Sequence, residues 1–68
     1  MIHVETNNLQ AIGYDESQGI LYIEFKHSDI YQYYGVDKSI HDGLSYADSK
    51  DKYFDKMIKK AGYTYARV

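Results

Sequence analysis

Residues Ile20 to Lys26 read Ile-Leu-Tyr-Ile-Glu-Phe-Lys, which sets Leu21, Ile23 and Phe25 on one side of an extended chain and Glu24 and Lys26 on the other. That alternation predicts a half-buried β-strand. Beyond Asp37 the apolar period lengthens to 3.6: Ile40, Leu44 and Ala47, then Phe54, Met57, Ile58 and Ala61, are spaced as the buried stripes of two helices. Strands followed by helices, without alternation of the two, predict an α+β fold. The expected architecture is a small antiparallel meander with two helices from the C-terminal half packed on one face. With 68 residues there is room for one core, so residues 1–68 form a single domain.

The loops set the register of the meander. Ile12 and Tyr14 alternate with Ala11 and Gly13, and Glu16-Ser17-Gln18-Gly19 is turn chemistry with a glycine available for positive φ. A four-residue loop pairs Tyr14 with Leu21 and Ile12 with Ile23. His27-Ser28-Asp29 then reads as a three-residue turn that sets Phe25 opposite Tyr31 and Ile23 opposite Tyr33. The inner face carries Ile12, Tyr14, Leu21, Ile23, Phe25, Tyr31 and Tyr33, and the outer face Ile20, Tyr22, Ile30 and Tyr34. His3-Val4-Glu5 adds a short edge strand. Asp37 is placed to cap a helix from Lys38 to Ala47, weakened by Gly43. Asp48 or Ser49 caps a second from Lys50 to Ala61, closed by Gly62. Tyr63 to Val68 alternates, a pattern open to either a returning strand or a tail.

Composition excludes several functions. The absence of cysteine rules out disulfides, thiolate metal sites and cysteine nucleophiles. No apolar run is long enough to span a membrane, and the N-terminus lacks the basic and apolar blocks of a secretory signal, so a cytoplasmic protein without a membrane partner is expected. His3, His27 and His41 lack helical metal spacing, and His41 and Asp42 are successive residues that do not share a helix face. They are expected as surface histidines. No phosphate loop or nucleophile elbow occurs. The expectation is a non-enzyme with no cofactor, metal or small-molecule substrate.

Charge and tyrosine point to binding. Met1 to Tyr34 holds one lysine and five acids, a charge of −4, whereas Lys50 to Arg67 holds six cations and two acids, a charge of +4. On the second helix Lys52, Lys56 and Lys60 recur every fourth residue with Lys59 alongside, and Asp55 is spaced to pair with Lys59. Nine of the eleven aromatic residues are tyrosines, which stack on unpaired bases when exposed. RNA binding by Lys52, Lys56, Lys59, Lys60 and Arg67 with Tyr34, Tyr63 and Tyr65 is one expectation. The other is a protein-interaction or homodimer surface on the outer sheet face, at Ile20, Tyr22, Ile30 and Tyr34.

One ordered string runs across these elements. Tyr31-Gln32-Tyr33 and Val36, then Leu44, Ala47, Ser49-Lys50, Tyr53-Phe54 and Ile58, resemble the KTSC domain family. That family is named for a C-terminal segment of some lysyl-tRNA synthetases and also occurs as stand-alone small bacterial proteins. The resemblance runs from about Val4 to Arg67 and implies RNA binding by association with the synthetase. Asp37 stands where the family has proline and Asp51 where it favours glycine. The first still suits a helix start, and the second adds a negative charge to that turn.

Overall fold

The computed structural model describes residues 2–4, 6–27 and 29–68. Its strands are β1 (Ile2–His3), β2 (Leu9–Asp15), β3 (Ile20–Phe25), β4 (Ile30–Tyr33) and β5 (Tyr65–Arg67), joined antiparallel in the order β1-β2-β3-β4-β5. Between β4 and β5 the chain forms α1 (Lys38–Tyr46) and α2 (Lys50–Phe54), and α2 runs on into a π-helical turn, Asp55–Lys59. The fold is α+β, as the two apolar periods require.

The β2–β3 hairpin has the expected register, with Tyr14 opposite Leu21 and Ile12 opposite Ile23. Its loop is held by Asp15, whose carboxylate accepts hydrogen bonds from the backbone and hydroxyl of Ser17 and from the Gln18 amide, holding its pKa below the usual carboxylate range. Gly19 adopts φ +66°, the left-handed conformation that only glycine reaches without strain.

Five expectations about these elements need correction. Strand β4 sits two residues away from its expected register: Ile23 faces Tyr31 and Leu21 faces Tyr33. The end of β3 is claimed on its other side, where Phe25 faces Leu9 and the Lys26 amide donates to the Asn8 carbonyl, so the connection to β4 lengthens. A shift of two keeps every side chain on its face. The edge strand is Ile2–His3 and not His3-Val4-Glu5; Glu5, like Ser28 of the turn, lies outside the described residues. A bulge around Gln10 inverts the alternation, so Leu9 and Ile12 both enter the core. Asp37 does occupy the N-cap of α1, but its side chain makes no capping hydrogen bond; its backbone carbonyl accepts from Ile40.

The fifth correction concerns α2. Phe54 and Ile58 are buried, whereas Met57 is 36% exposed and Ala61 is exposed. The cause is the π turn, in which the Lys60 amide donates to the Asp55 carbonyl five residues back. The wider turn needs an extra residue to come round, so the α-helical stripe loses phase after Phe54. The same offset redirects charge: Asp55 pairs with Lys60 at 3.2 Å, not with Lys59.

The core is one cluster, in which Leu9, Ile12, Leu21, Ile23 and Tyr33 of the sheet meet Val36, Leu44, Phe54 and Ile58. Gly43 belongs to the same packing, because a methyl group there would overlap the Tyr53 hydroxyl and lie 2.7 Å from its Cζ. Gly43→Ala is expected to destabilise the domain by about 1 kcal/mol in urea denaturation: overpacking of roughly 1–3 kcal/mol outweighs a helix gain of about 1 kcal/mol. A stabilised variant would mean that Tyr53 swings aside at no cost.

An aromatic cleft as candidate binding site

Helices α1 and α2 leave one end of the inner sheet face open. Strand β5 pairs with β4 so that Tyr65 lies opposite Tyr33 and Arg67 opposite Tyr31. Cross-strand partners share a face, so three tyrosines from two strands form a ladder: Tyr65 stacks on Tyr31 at 5.7 Å and lies 5.5 Å from Tyr33. Phe25 meets Tyr31 edge-on at 5.4 Å, and Phe54 meets Tyr33 at 5.7 Å. These rings floor an open cleft of about 460 Å³, bounded also by His27, Tyr63 and Lys59. Tyr65 is 58% exposed, whereas Tyr33 is buried and its phenol is pushed up to about 12, first by burial and then by the neighbouring Tyr31 and Tyr65.

Lys59 reaches this cleft because of the π turn. It follows Phe54 by five residues, and five residues span about one turn there, so both side chains meet the same space. Among the described residues Lys59 has no carboxylate partner.

A second cleft adjoins the first and shares Phe25, His27, Phe54 and Lys59 with it. Its other walls are polar, from Asn7, Asn8, Lys26, Asp51 and Asp55. Asp51 is anchored: the Thr6 hydroxyl donates to its Oδ1 at 2.7 Å, and Thr6 Oγ1 accepts the Leu9 amide at 2.9 Å. The carboxylate that departs from the KTSC pattern thus ties the N-terminal arm to α2.

Of the residues expected to contact RNA, the structure gathers Lys59, Tyr63 and Tyr65 in one cleft. Arg67 stands at its rim, with Nη1 3.9 Å from Asp29 Oδ2. Lys52, Lys56 and Lys60 are exposed but do not line it, and Lys60 is held by Asp55. Tyr34 is apart as well, donating to Gln32 Oε1 at 2.7 Å. Phe25, His27, Tyr31, Tyr33 and Phe54 were not among the expected contacts; the shared face of Tyr31 and Tyr33 was the available signal, which pointed to the core. On the outer face, Ile20 is only 8% exposed and Tyr22 and Ile30 are half-buried, so Tyr34 is its most exposed member. The chain leaving β4 is tied down beside Ile20, where the Val36 amide donates to the Gly19 carbonyl.

His41 is not a surface histidine. Its side chain is 18% exposed and its ring stacks on Tyr14 at 4.9 Å. Although sequence neighbours point in different directions on a helix, His41 Nδ1 lies 3.2 Å from Asp42 Oδ1, and Nε2 lies 3.4 Å from Ser45 Oγ. Asp42 also binds Lys38 at 2.9 Å, which, with the hydrogen bond from His41, holds its carboxyl below the ordinary range. Ser45 does not line the adjoining cleft of about 450 Å³, which His41, Asp42 and Tyr14 do line. Among the described residues no group of three acidic or histidine side chains is gathered as for a metal ion, and no helix is long and apolar enough to cross a membrane.

Comparisons with known proteins agree with this architecture. The sequence model of the KTSC domain matches residues 5–66. An uncharacterised protein of Stutzerimonas stutzeri is 31% identical over 98% of this chain and 94% of its own length. A protein of Tsukamurella paurometabola is 32% identical over 82% of this chain and 84% of its own. The crystal structure of a KTSC domain protein from Yersinia pestis superposes with a TM-score of 0.91 at 32% identity, covering 97% of this chain and 92% of that one. With the family's sequence model spanning residues 5–66 and a solved KTSC domain superposing over 97% of the chain, the protein belongs to the KTSC domain family.

Proposed function

We propose that this domain is a non-catalytic binding module that takes single-stranded RNA in the aromatic cleft. The observation that carries the reading is a lysine standing beside a ladder of accessible tyrosines. Tyr65, Tyr31 and Tyr63 offer π-faces for unpaired bases, and Lys59 offers a point charge for the phosphate between them. A cationic ligand is disfavoured by Lys59 itself. Arg67 extends the positive rim, while Lys52, Lys56 and Lys60 act only as a diffuse field that draws in a polyanion.

The test is an amide-proton NMR titration of the labelled domain with a mixed-sequence single-stranded RNA, at low and near-physiological salt, beside the matching DNA strand. Shifts are expected at residues 25–33 and 59–67, fading as salt rises. Tyr65→Ala is expected to weaken binding roughly five- to 150-fold, matching about 1–3 kcal/mol per stacked base. Lys59→Glu is expected to weaken it most at low salt, whereas Lys52→Glu changes affinity little. Both cleft side chains are exposed, so circular dichroism should show an unchanged fold. Absence of shifts at low salt would overturn the reading. Equal affinity for DNA would mean that the ribose hydroxyl is not read.

A further inference from the structure

We infer that the two adjoining clefts form one groove that reads a dinucleotide step, stacking one base on the tyrosine ladder and recognising a second, amino-bearing base at Asn7, Asn8 and Asp51. The inference rests on the RNA reading of the aromatic cleft and adds the identity of the neighbouring subsite.

Three observations support it. The clefts are contiguous, and Lys59 lines both, so its ammonium stands where a phosphate linking two bases would lie. The walls then differ in chemistry. The first cleft is floored by rings, which hold any base by its face, whereas the second presents carboxamides and a carboxylate, which read the edge of a base. Finally, those polar groups are available. The carboxamides of Asn7 and Asn8 have no hydrogen-bond partner among the described residues; of Asn8 only the backbone is engaged, its amide donating to Thr6 Oγ1 and its carbonyl accepting from the Lys26 amide. Asp51 is fixed through Oδ1 by Thr6, and its Oδ2 has no hydrogen-bond partner among the described residues.

Charge in the second cleft allows a phosphodiester to approach. Asp55 is compensated by Lys60, Lys26 after β3 and Lys59 on the same helical run as Asp51 line the cleft with it, and His27 is drawn toward Asp29 at 3.2 Å. An anchored carboxylate accepts a hydrogen bond from an exocyclic amino group, and a carboxamide both donates and accepts. Adenine, cytosine and guanine carry such an amino group and uracil does not. The subsite therefore favours an amino-bearing base over uracil.

The experiment compares adenylate and uridylate mononucleotides with their dinucleotides, titrated into the intact domain by NMR. Extension from one nucleotide to two is expected to raise affinity roughly tenfold for adenylate, about 1.4 kcal/mol, and far less for uridylate. The Asn7→Ala, Asn8→Ala double variant should cancel the adenylate step while leaving mononucleotide affinity and the shifts at Tyr65 unchanged. Equal steps for the two bases, or a step that survives the double variant, would overturn the dinucleotide reading while the aromatic cleft still bound RNA. If no nucleotide or RNA perturbs Tyr65 or Lys59, both readings fall together.

Discussion

Replacing Ile23 with alanine is expected to remove half or more of the stability of this domain. Ile23 is fully buried at the centre of β3, with Ile12 on one side and Tyr31 on the other. A cavity left by such a truncation costs about 2–5 kcal/mol. A chain of this length has only about 3–10 kcal/mol in total. The thermal midpoint should fall by tens of degrees, since about 1 kcal/mol corresponds to roughly 4–8 °C in a domain this small. The informative partner is Met57→Ala. An uninterrupted α-helix would bury Met57 beside Phe54 and Ile58, and its loss would then be comparable. The π turn leaves it 36% exposed, so a cost below about 1 kcal/mol is expected. Equal losses would mean that the helix runs regularly past Phe54.

Alkaline titration provides the second large effect. Tyr33 is buried and its phenol is pushed up to about 12, whereas an unfolded tyrosine ionises near 10. Above pH 10 the unfolded chain gives up this proton and the folded one keeps it, so the unfolded state binds fewer protons and stability falls as pH rises. The contribution of the neutral phenol is complete below pH 10 and is lost between about 10 and 12, amounting to about 2–3 kcal/mol. Tyr14 shifts in the same direction, chiefly through burial and then through the charge of Asp37. Urea midpoints measured across that window should drop, and Tyr33→Phe should flatten the decline. A near-ultraviolet titration should show one of the nine tyrosines ionising well after the bulk. A Tyr33→Phe variant with an undiminished alkaline slope would place the responsible group elsewhere.

How much of this was legible in the chain depended on the range of the interaction that decides each element. Strand β3 and the β2–β3 hairpin follow from nearest-neighbour alternation and a turn whose Asp15 supplies its own hydrogen bonds. Those signals lie within a few residues and read correctly. The offset of β4 was not local, because it depends on Leu9 and Asn8 pairing with the far end of β3. Nor was the bulge at Gln10 local, since alternation alone cannot show that Leu9 and Ile12 share a face. The candidate site suffered in the same way. Counting lysines every four residues assumed a regular helix and singled out Lys52, Lys56 and Lys60. One wide turn instead turned Lys59 inward, toward tyrosines whose gathering depends on β5 closing the sheet. The ladder of Tyr31, Tyr33 and Tyr65 joins residues more than thirty positions apart, so no window along the sequence contains it.

The wide turn at Asp55–Lys59 also makes chain length a variable of recognition. A π turn is what remains when an α-helix gains a single residue, and the surplus is absorbed without disturbing what lies on either side. Losing one residue between Asp55 and Ile58 would restore the regular spiral and keep the sheet. The lysine would then follow Phe54 by four residues, about one α-helical turn, and its ammonium would still come round to the tyrosine ladder. A regular helix at full length would instead carry Lys59 about 100° past that position, and the cleft would pass from anion-attracting to neutral. Among relatives that share this fold, the cleft cation is therefore expected four residues after the phenylalanine in chains one residue shorter here and five in chains of this length, an equivalence that comparison of residue identities position by position would miss.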